Sequence, residues 1–434
     1  MSSEPQVPRL VAVTRPLDRI PDIIALADPE NPLVWTRGDR GCVCIGETLR
    51  LTFTGPDRYA EAAAEWRRIA ELTTIDDPVR LPGTGLVALG TFAFAAESGT
   101  TSVLVVPRTL IARHRGSAWI TEIRVTDADG AESSIEQLAG AMPQLPEATP
   151  LRPWTGTALG TRAAEGAPGV AAYLDGVDRA GALIAEGALE KVVLARQVAG
   201  TIEGDADLRT PITRLAVSYT DCWTFAVDGL IGASPETLVR STDGAVSARV
   251  LAGTRRRHRD DEPADLRARN ELLTSPKEQH EHAFAVQSVV TALAPHVRSL
   301  QTSEEPFPLR LPNVWHLATD LGATLSENSS ALEIVGALHP TAAVAGTPTA
   351  AAIAAIAELE PFDRGRYAGA VGWIDAAGDG EWVIALRCAQ VDPPSSGERT
   401  VTASAGGGIV DGSNPEHELA ETVSKFRPVT DAFA

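Results

Sequence analysis

The sequence predicts a protein that mixes helices with β-strands joined by hairpins. Residues 347–359 begin with Thr-Pro and contain strong helix formers throughout, which indicates a helix. Two runs of strand-like composition follow at 367–374 and 381–391, and the segment 375–380 between them has the composition of a hairpin turn. Residues 57–72 predict a second helix among apolar runs of strand length, so the two kinds of element alternate along the chain.

Composition limits the classes to which the chain can belong. With 44% hydrophobic and 22% charged residues among 434, it has the profile of an ordinary globular protein. The formal net charge of −19 argues against a nucleic-acid or anionic-membrane partner, so an anionic ligand would need cations placed locally. No apolar run reaches transmembrane length, and the first ten residues lack a targeting pattern. We expect a cytoplasmic monomer with four free cysteines, since their spacing fits no metal site.

The first 142 residues predict a sheet with one helix packed on it. The expected helix is 57–72, and the expected strands are 41–53, 85–94, 102–111 and 118–125. Residues 143–169 are rich in Pro, Gly and Thr, which predicts a connecting segment. Residues 170–434 carry the candidate chemistry, and the length of 434 residues by itself suggests two or three domains.

The rest of the chain predicts further elements of both kinds. Helices are expected at 170–187, 210–218, 276–297 and from 415 onward. Strands are expected at 189–200, 221–228, 230–240, 245–252 and 400–405, and residues 309–325 are expected to be extended. The basic run 255–261 ends in acidic residues, which favours a solvated loop over nucleic-acid binding.

Two predicted helices each carry a pair of glutamates three residues apart, which places both carboxylates of a pair on one helix face. The pairs are Glu278 with Glu281, and Glu418 with Glu421. Four carboxylates suit Mg²⁺, a hard cation that prefers oxygen ligands. Structural roles compete with this interpretation. Ser275-Pro-Lys-Glu278 has the pattern of a capping box, and Glu421 can pair with Lys425 four residues later.

Three further features are candidates for catalysis or ligand binding. Lys191 shares the apolar face of its predicted strand with Val193, where desolvation would lower its pKa toward that of a general base; a lysine that extends to solvent is the alternative. Arg387 lies in an apolar run and needs a partner, either an acidic side chain or a ligand carboxylate. The triple glycine 406–408 follows a predicted strand and would let backbone N–H groups approach an anion, although most glycine-rich turns are only turns.

Several short phrases occur in an order that resembles one family. They are HPT at 339–341, GTP at 346–348, ELEPFDRG from Glu358, YAGAVGW from Tyr367 and GDGEW from Gly378. Together they resemble the chorismate-utilising enzymes, isochorismate synthases above all, over residues 171–427 and only weakly before them. The resemblance implies an α+β chorismate-binding fold, in which two α/β halves pack large antiparallel sheets face to face with helices outside. It also implies that the whole chain forms one compact unit, in place of the two or three domains that length suggests.

The resemblance also implies catalytic residues. LEKVVLAR places Lys191 at the general base of the family, and LIGASPETLVR places Glu236 at its general acid. NVWHLAT places His316 beside the substrate ring, although a histidine satisfied by hydrogen bonds in the core is a close alternative.

The implied ligands are Mg²⁺ and chorismate. The metal would be bound by Glu281 and Glu421, with Glu278 and Glu418 in its inner or outer ligand shell. The residues implied in substrate binding are Gly253, Thr254, Ala343, Val344, Tyr367, Arg387, Gly406, Gly407 and Lys425.

The implied reaction is the reversible conversion of chorismate into isochorismate. In HPTAAVAG, Ala343 stands where ammonia-using and salicylate-forming relatives carry threonine, and Val344 replaces a usual leucine. A salicylate synthase and an amino-transferring chorismate enzyme remain alternatives, although the chain contains no glutamine amidotransferase domain. A chorismate-binding protein without turnover and an unrelated metal-binding α/β protein are the other two.

Overall fold

The structure is a computed structural model that describes residues 8–19, 22–126, 131–140, 145–160, 168–258, 261–310 and 314–434. Within these ranges, the side chains of residues 131–134, 139, 168, 254, 256, 277, 281 and 314 are not described. The side chains of Thr254 and Glu281, two predicted site residues, therefore lie outside the described part.

The described residues form nine α-helices. They are α1 (Arg58–Leu72), α2 (Ala131–Gly140), α3 (Pro168–Ala185), α4 (Arg209–Ser218), α5 (Glu262–Thr274), α6 (Pro276–Leu293), α7 (Ala331–Leu338), α8 (Thr349–Leu359) and α9 (Pro415–Phe433). Six of these confirm predicted helices, whereas α2, α5 and α7 were not predicted. No described helix combines the length and the apolar composition needed to cross a membrane.

The described residues also form twenty β-strands. In the first half of the chain these are β1 (Arg9–Pro16), β2 (Leu33–Arg37), β3 (Arg40–Phe53), β4 (Thr74–Asp76), β5 (Val87–Thr91), β6 (Ser102–His114), β7 (Ser117–Thr126), β8 (Lys191–Glu203), β9 (Trp223–Val227) and β10 (Leu230–Ser234). In the second half they are β11 (Thr237–Thr242), β12 (Ala245–Arg256), β13 (Val297–Thr302), β14 (Phe307–Arg310), β15 (Val314–Leu325), β16 (Gly346–Thr347), β17 (Ala370–Asp375), β18 (Gly380–Ile384), β19 (Cys388–Val391) and β20 (Glu398–Ile409).

These strands form one hydrogen-bonded sheet that divides at β6. From one edge of β6 the ladder runs through β3, β2, β9, β10, β19, β20, β8 and β16, which we call arm A. From the other edge it runs through β5, β17, β18, β11, β12 and β15 to β13 and β14, which we call arm B. The strands β7, β1 and β4 continue from the second half of β6. The β1–β4 pair is parallel, and the other described pairs are antiparallel.

The two arms pack face to face around the main hydrophobic core. Trp35 and Phe225 enter this core from arm A, and Trp382 enters it from arm B. Between the arms, the Trp223 indole N–H donates to the Glu381 carboxylate at 3.0 Å. Helices cover the outer faces, with α4 and α9 packed against arm A and α5 and α6 against arm B. The predicted α+β fold is therefore confirmed.

Strands of the first 142 residues pair directly with strands of the rest of the chain. β2 pairs with β9 in arm A, and β5 pairs with β17 in arm B. Residues 145–160, in the predicted connecting segment, contain neither helix nor strand. The N-terminal part thus completes both arms.

Two strands predicted as continuous are broken in the structure, so those predictions were wrong. Residues 230–240 form β10 and then β11, and residues 381–391 form β18 and then β19. In both places the chain leaves one arm and enters the other, so no single ladder can hold a continuous strand. Arg387 lies in the second break with φ of +50°, outside any strand. Similarly, residues 367–374 become a strand only from Ala370, which leaves Tyr367 in a turn.

The basic run 255–261 was predicted to be a solvated loop, and the described part contradicts this. Arg255 and Arg256 end strand β12. Arg257 forms an ion pair with Asp265 of α5 at 2.8 Å, with the two side chains 8% and 11% exposed. Arg257 is therefore held against the fold by an acidic partner in α5, a helix that the sequence analysis did not predict.

Candidate active site

The two chain crossings between the arms lie side by side, and each carries one predicted site residue. Glu236 lies between β10 and β11, and Arg387 lies between β18 and β19. The Ile384 N–H donates to the Glu236 carbonyl at 3.0 Å, and the Ser234 hydroxyl donates to the Ile384 carbonyl at 2.6 Å. The Ala233 N–H donates to the Arg387 carbonyl at 3.1 Å. These backbone contacts bring a carboxyl and a guanidinium group to one junction.

The environment of Glu236 favours its protonated form. Desolvation by burial raises the pKa of its carboxyl group, and the positive charges of Lys191, Arg387 and Lys425 oppose this rise without cancelling it. Lys191 is the strongest of the three opposing charges. Glu236 is therefore suited to donate a proton in a site that also holds several cations.

Lys191 reaches the same site from the start of β8. It pairs with Thr347 of β16 on one side, and the rest of β8 pairs with β20 on the other. A Cβ atom on Gly408 would lie 2.9 Å from Lys191 Cε and 3.7 Å from Nζ. The lysine side chain therefore lies across Gly408, and a larger residue there would displace it.

The triple glycine was predicted to follow a strand, and this prediction was wrong. Gly406, Gly407 and Gly408 are part of β20 and pair with β8. A Cβ atom on Gly406 would lie 2.4 Å from the Leu194 carbonyl oxygen. Glycine is thus required here because strand backbone and side chains approach from both faces of the sheet.

Glu418 and Glu421 converge on the second of these glycines. A Cβ atom on Gly407 would lie 3.0 Å from Glu418 Oε2 and 3.7 Å from Glu421 Oε1. Burial raises the pKa of Glu418, and the nearby charge of Glu421 raises it further. The ammonium group of Lys425 forms an ion pair with Glu421 at 2.5 Å and donates to the Gly406 carbonyl at 2.8 Å. The Glu421–Lys425 ion pair, which the sequence offered as a structural role for Glu421, is therefore present next to the two carboxylates.

Glu278 lies at a β-bulge in arm B. Gly253 has φ of +76° where the register between β12 and β15 shifts, and its Cβ atom would lie 3.3 Å from Glu278 Oε2. The Ser275 hydroxyl accepts from the Glu278 N–H at 3.4 Å, which confirms that it caps α6. However, the Ser275 N–H donates to the Glu271 carbonyl, so the second half of the predicted capping box was wrong. The Glu278 carboxylate lies close to Gly253.

His316 forms a hydrogen bond with this bulge and is near enough to Lys191 for the lysine charge to affect its pKa. Its Nδ1–H donates to the Gly253 carbonyl at 3.3 Å, so Nε2 is the unprotonated nitrogen of the neutral ring. Burial lowers the pKa of His316 to about 4, and the positive charge of Lys191 contributes to this. The imidazole is therefore neutral at physiological pH, and it can accept or relay a hydrogen bond without adding charge.

The chemistry of the carboxylates fits a hard divalent cation. Glu418 and Glu421 offer oxygen ligands that face one point, and their mutual repulsion would be relieved by a cation. In the described part of the chain, no three His, Cys, Asp or Glu side chains form a group that could hold a metal ion. The side chain of Glu281, the fourth predicted carboxylate, lies outside that part. The magnesium site therefore stays a prediction.

A buried ion pair that was not predicted contacts the backbone of the turn that contains Ala343 and Val344. Arg364 pairs with Glu360 at 2.6 Å and donates to the carbonyls of Val344 at 2.9 Å and Val193 at 2.7 Å. Val344 itself is 3% exposed and belongs to the main core. The pair thus fixes the distance between this turn and β8. Its sequence signal is the spacing of four within ELEPFDRG.

Tyr367 and Arg387 lie close to each other beside this turn. Tyr367 is buried, and desolvation raises its pKa to about 12 although the charges of Arg364 and Arg387 oppose the rise. The Arg387 guanidinium is half-buried and has neither a hydrogen-bond nor an ion-pair partner among the described residues. It is therefore available to a ligand carboxylate, and the alternative of a core salt bridge is not seen among the described residues.

Comparisons with known proteins agree with the resemblance seen in the sequence. A model of the chorismate-binding enzymes matches residues 2–434. Isochorismate synthase DhbC of Bacillus subtilis is 42% identical over 60% of this chain and 67% of its own. The salicylate biosynthesis isochorismate synthase of Pseudomonas aeruginosa is 30% identical over 96% of this chain and 88% of its own. The structure of MenF, the menaquinone-specific isochorismate synthase from Escherichia coli, superposes with a TM-score of 0.72 at 25% identity and covers 100% of this chain and 97% of MenF. The chain belongs to the chorismate-binding enzyme family.

Proposed function

We propose that the protein is an isochorismate synthase, an isomerase that interconverts chorismate and isochorismate. The observation that carries this proposal is the junction of the two arms, where Glu236 has a raised pKa and Lys191 supplies the strongest neighbouring positive charge. A carboxyl group with a raised pKa and a candidate base at one site fit the exchange of a hydroxyl group for water on a single substrate. The names of the relatives DhbC and MenF support the same activity.

The proposed reaction exchanges hydroxyl groups across the ring of chorismate. Lys191 takes a proton from a water molecule, whose oxygen forms a bond to C2 while the ring double bonds shift. The C4–O bond breaks, and Glu236 gives its proton to the leaving hydroxyl, which departs as water. One water enters and one leaves, so product and substrate are isomers and the reaction is reversible. Solvent then returns Lys191 and Glu236 to their starting protonation states.

Mg²⁺ is the proposed cofactor. Glu421 and Glu418 of α9, with Glu281 and Glu278 of α6, would hold it. When bound, the ion supplies positive charge that binds the ring carboxylate of chorismate next to acidic side chains. Glu421 would then share its charge between the ion and Lys425, and the weaker ion pair would let the ammonium group contact the substrate as well.

The proposed anchors for the two carboxylates of chorismate are cations and exposed backbone groups. Arg387 is suited to a forked contact because its guanidinium is not used by the described residues. His316 is neutral and would position the ring without adding charge. The remaining proposed contacts are Gly253, Thr254, Tyr367, Gly406, Gly407 and Lys425.

Water is the proposed nucleophile, and the residue at 343 supports this. Ala343 is half-buried in the turn that precedes β16, and its methyl group offers no hydroxyl to position ammonia. The same turn is fixed to β8 by the Ala345 carbonyl, which accepts from the Val193 N–H at 2.8 Å. The position of the alanine relative to Lys191 is thus set by backbone contacts.

The proposed function is tested by product analysis with purified protein. With chorismate and Mg²⁺, we expect isochorismate as the only major product, identified by chromatography and mass, even when ammonium salts are present. Excess EDTA should remove turnover, and added Mg²⁺ should restore it. Mainly salicylate, or an aminated product, would contradict the assignment, and full turnover in EDTA would contradict the metal requirement.

Two neighbouring glycines provide a matched test of the Lys191 position. Gly408→Ala pushes against the flexible end of Lys191, so we expect kcat to fall at least about tenfold with little change in Tm. Gly406→Ala meets the backbone of Leu194 at 2.4 Å, so it should lower Tm clearly. Steady-state kinetics and thermal unfolding of both variants check this. A Gly408→Ala enzyme with the wild-type kcat would show that the position of Lys191 does not matter.

A further inference from the structure

Tyr173 of α3 carries a buried hydroxyl group that the fold leaves unsatisfied. The residue is 4% exposed, and its hydroxyl has no hydrogen-bond partner among the described residues. A buried donor without a partner lowers stability, so its retention in a fold calls for an explanation. From the sequence alone, Tyr173 is an ordinary apolar position of an amphipathic helix.

The hydroxyl faces the point on which the carboxylates of α9 converge. The Cβ position of Gly407 lies 3.7 Å from the Tyr173 hydroxyl, 3.0 Å from Glu418 Oε2 and 3.7 Å from Glu421 Oε1. Because residue 407 is glycine, it places no side chain among the three groups. Burial raises the pKa of Tyr173, and the charges of Glu418 and Glu421 raise it further, so the hydroxyl keeps its proton and can only donate to a carboxylate.

The oxygen atoms of Glu418 are used unequally. Oε1 accepts from the Ser413 hydroxyl at 2.9 Å, whereas Oε2 is the atom that lies toward Gly407 and Tyr173. Tyr173 also lines a cavity of about 110 Å³ between α3, β8 and the residues that follow α8. This space can hold a water molecule. The hydroxyl forms no hydrogen bond with Oε2 in the structure, so the contact requires a small movement of one of the two side chains.

We propose that Tyr173 is a positioning residue for the carboxylate pair Glu418–Glu421, to which its hydroxyl donates a hydrogen bond when the pair binds a divalent cation. The inference rests on the proposed magnesium site. A hydrogen-bond donor to a metal-binding carboxylate fixes its orientation, and loss of such a partner typically weakens metal binding about tenfold or more. The unsatisfied hydroxyl is then a cost in the metal-free protein that is offset in the metal-bound form.

The test uses Tyr173→Phe with Tyr59→Phe as the matched control. Tyr59 is also buried, at 6% exposure, but its hydroxyl already forms a hydrogen bond with His339 Nδ1 at 3.1 Å. Calorimetric titration with MgCl₂ and thermal unfolding with and without Mg²⁺ are measured on the full chain. For Tyr173→Phe we expect a metal-free Tm no lower than that of the wild type, a Kd for Mg²⁺ raised about tenfold, and a smaller Tm increase on adding Mg²⁺. For Tyr59→Phe we expect a lower Tm and an unchanged Kd.

Kinetics provide a second readout. The Mg²⁺ concentration for half-maximal activity should rise about tenfold in Tyr173→Phe, while kcat at saturating Mg²⁺ stays close to that of the wild type. An unchanged Kd for Mg²⁺ would overturn the inference and assign the hydroxyl to water in the cavity. A wild-type protein that binds no Mg²⁺ would instead overturn the proposed metal site, and the role of Tyr173 with it.

Discussion

Lys191→Ala is expected to lower kcat for chorismate conversion by about 10²–10⁴-fold, the usual contribution of a general base. Lys191 lies across Gly408 and acts electrostatically on both Glu236 and His316, so its removal takes the base from the centre of the site. Chorismate binding should remain measurable, because the proposed carboxylate anchors are Arg387 and Lys425. Steady-state kinetics and calorimetric binding of chorismate separate these two effects.

Lys425→Ala is the matched comparison for this result. Lys425 contacts Glu421 and the Gly406 carbonyl, so its loss should raise KM more than it lowers kcat. A small primary amine added to Lys191→Ala should restore part of the rate, and it should not rescue Lys425→Ala. A Lys191→Ala enzyme with near wild-type kcat would remove the base assignment.

Glu236→Gln is expected to lower kcat by a similar factor of about 10²–10⁴, because an amide cannot give a proton to the leaving hydroxyl. The wild-type rate should fall as the pH rises through the pKa of Glu236, since the ionised carboxylate is no longer an acid. Because burial raises that pKa above its ordinary value, this alkaline limb should lie above the pH at which an exposed glutamate ionises. The residual activity of Glu236→Gln should lack the limb.

The same substitution has an expected effect on stability with a defined sign. A carboxyl group whose pKa is raised in the folded state favours folding below its ordinary pKa, and that contribution is lost as the pH rises through the folded-state value. Glu236→Gln should therefore have a higher Tm than the wild type at neutral pH, and the difference should shrink in acid. The exposed Glu327→Gln is the control and should show neither effect. Equal Tm values at both pH values would contradict the burial of the Glu236 charge.

Local sequence patterns predicted most helices and the strand content, because both depend on periodicity within one element. The helix at 57–72 and the last helix from 415 agree with α1 and α9. The unpredicted helix α7 had a signal, since Ser330 and Glu333 form a capping box at its start. By contrast, apolar alternation does not reveal which arm a strand joins. Pro235 marked one crossing between the arms, but nothing in the sequence marked the other at Arg387.

The sequence was enough to predict which residues belong to the candidate site. It was not enough to predict how these residues are positioned relative to one another. Sequence phrases typical of the family identified Lys191 and Glu236. Only the three-dimensional fold shows that they are close enough for the charge of Lys191 to act on the pKa of Glu236. The contribution of Gly408 was missed because its requirement comes from a side chain on another strand. The role of Tyr173 was missed because it depends on residues of another helix and strand. The spacing of Glu360 and Arg364 could have indicated their ion pair, but not the contacts of Arg364 with Val344 and Val193.

The most direct test of the central claim is the source of the oxygen atom at C2. The protein is incubated with chorismate and Mg²⁺ in H₂¹⁸O, and isochorismate formed early in the reaction is analysed by mass spectrometry. Water addition at C2 with loss of the C4 hydroxyl predicts one ¹⁸O atom in each product molecule, and no label in the Lys191→Ala reaction beyond its residual turnover. Isochorismate that carries no ¹⁸O would contradict the account, since its oxygen would then have moved within the substrate without any water for Lys191 to activate.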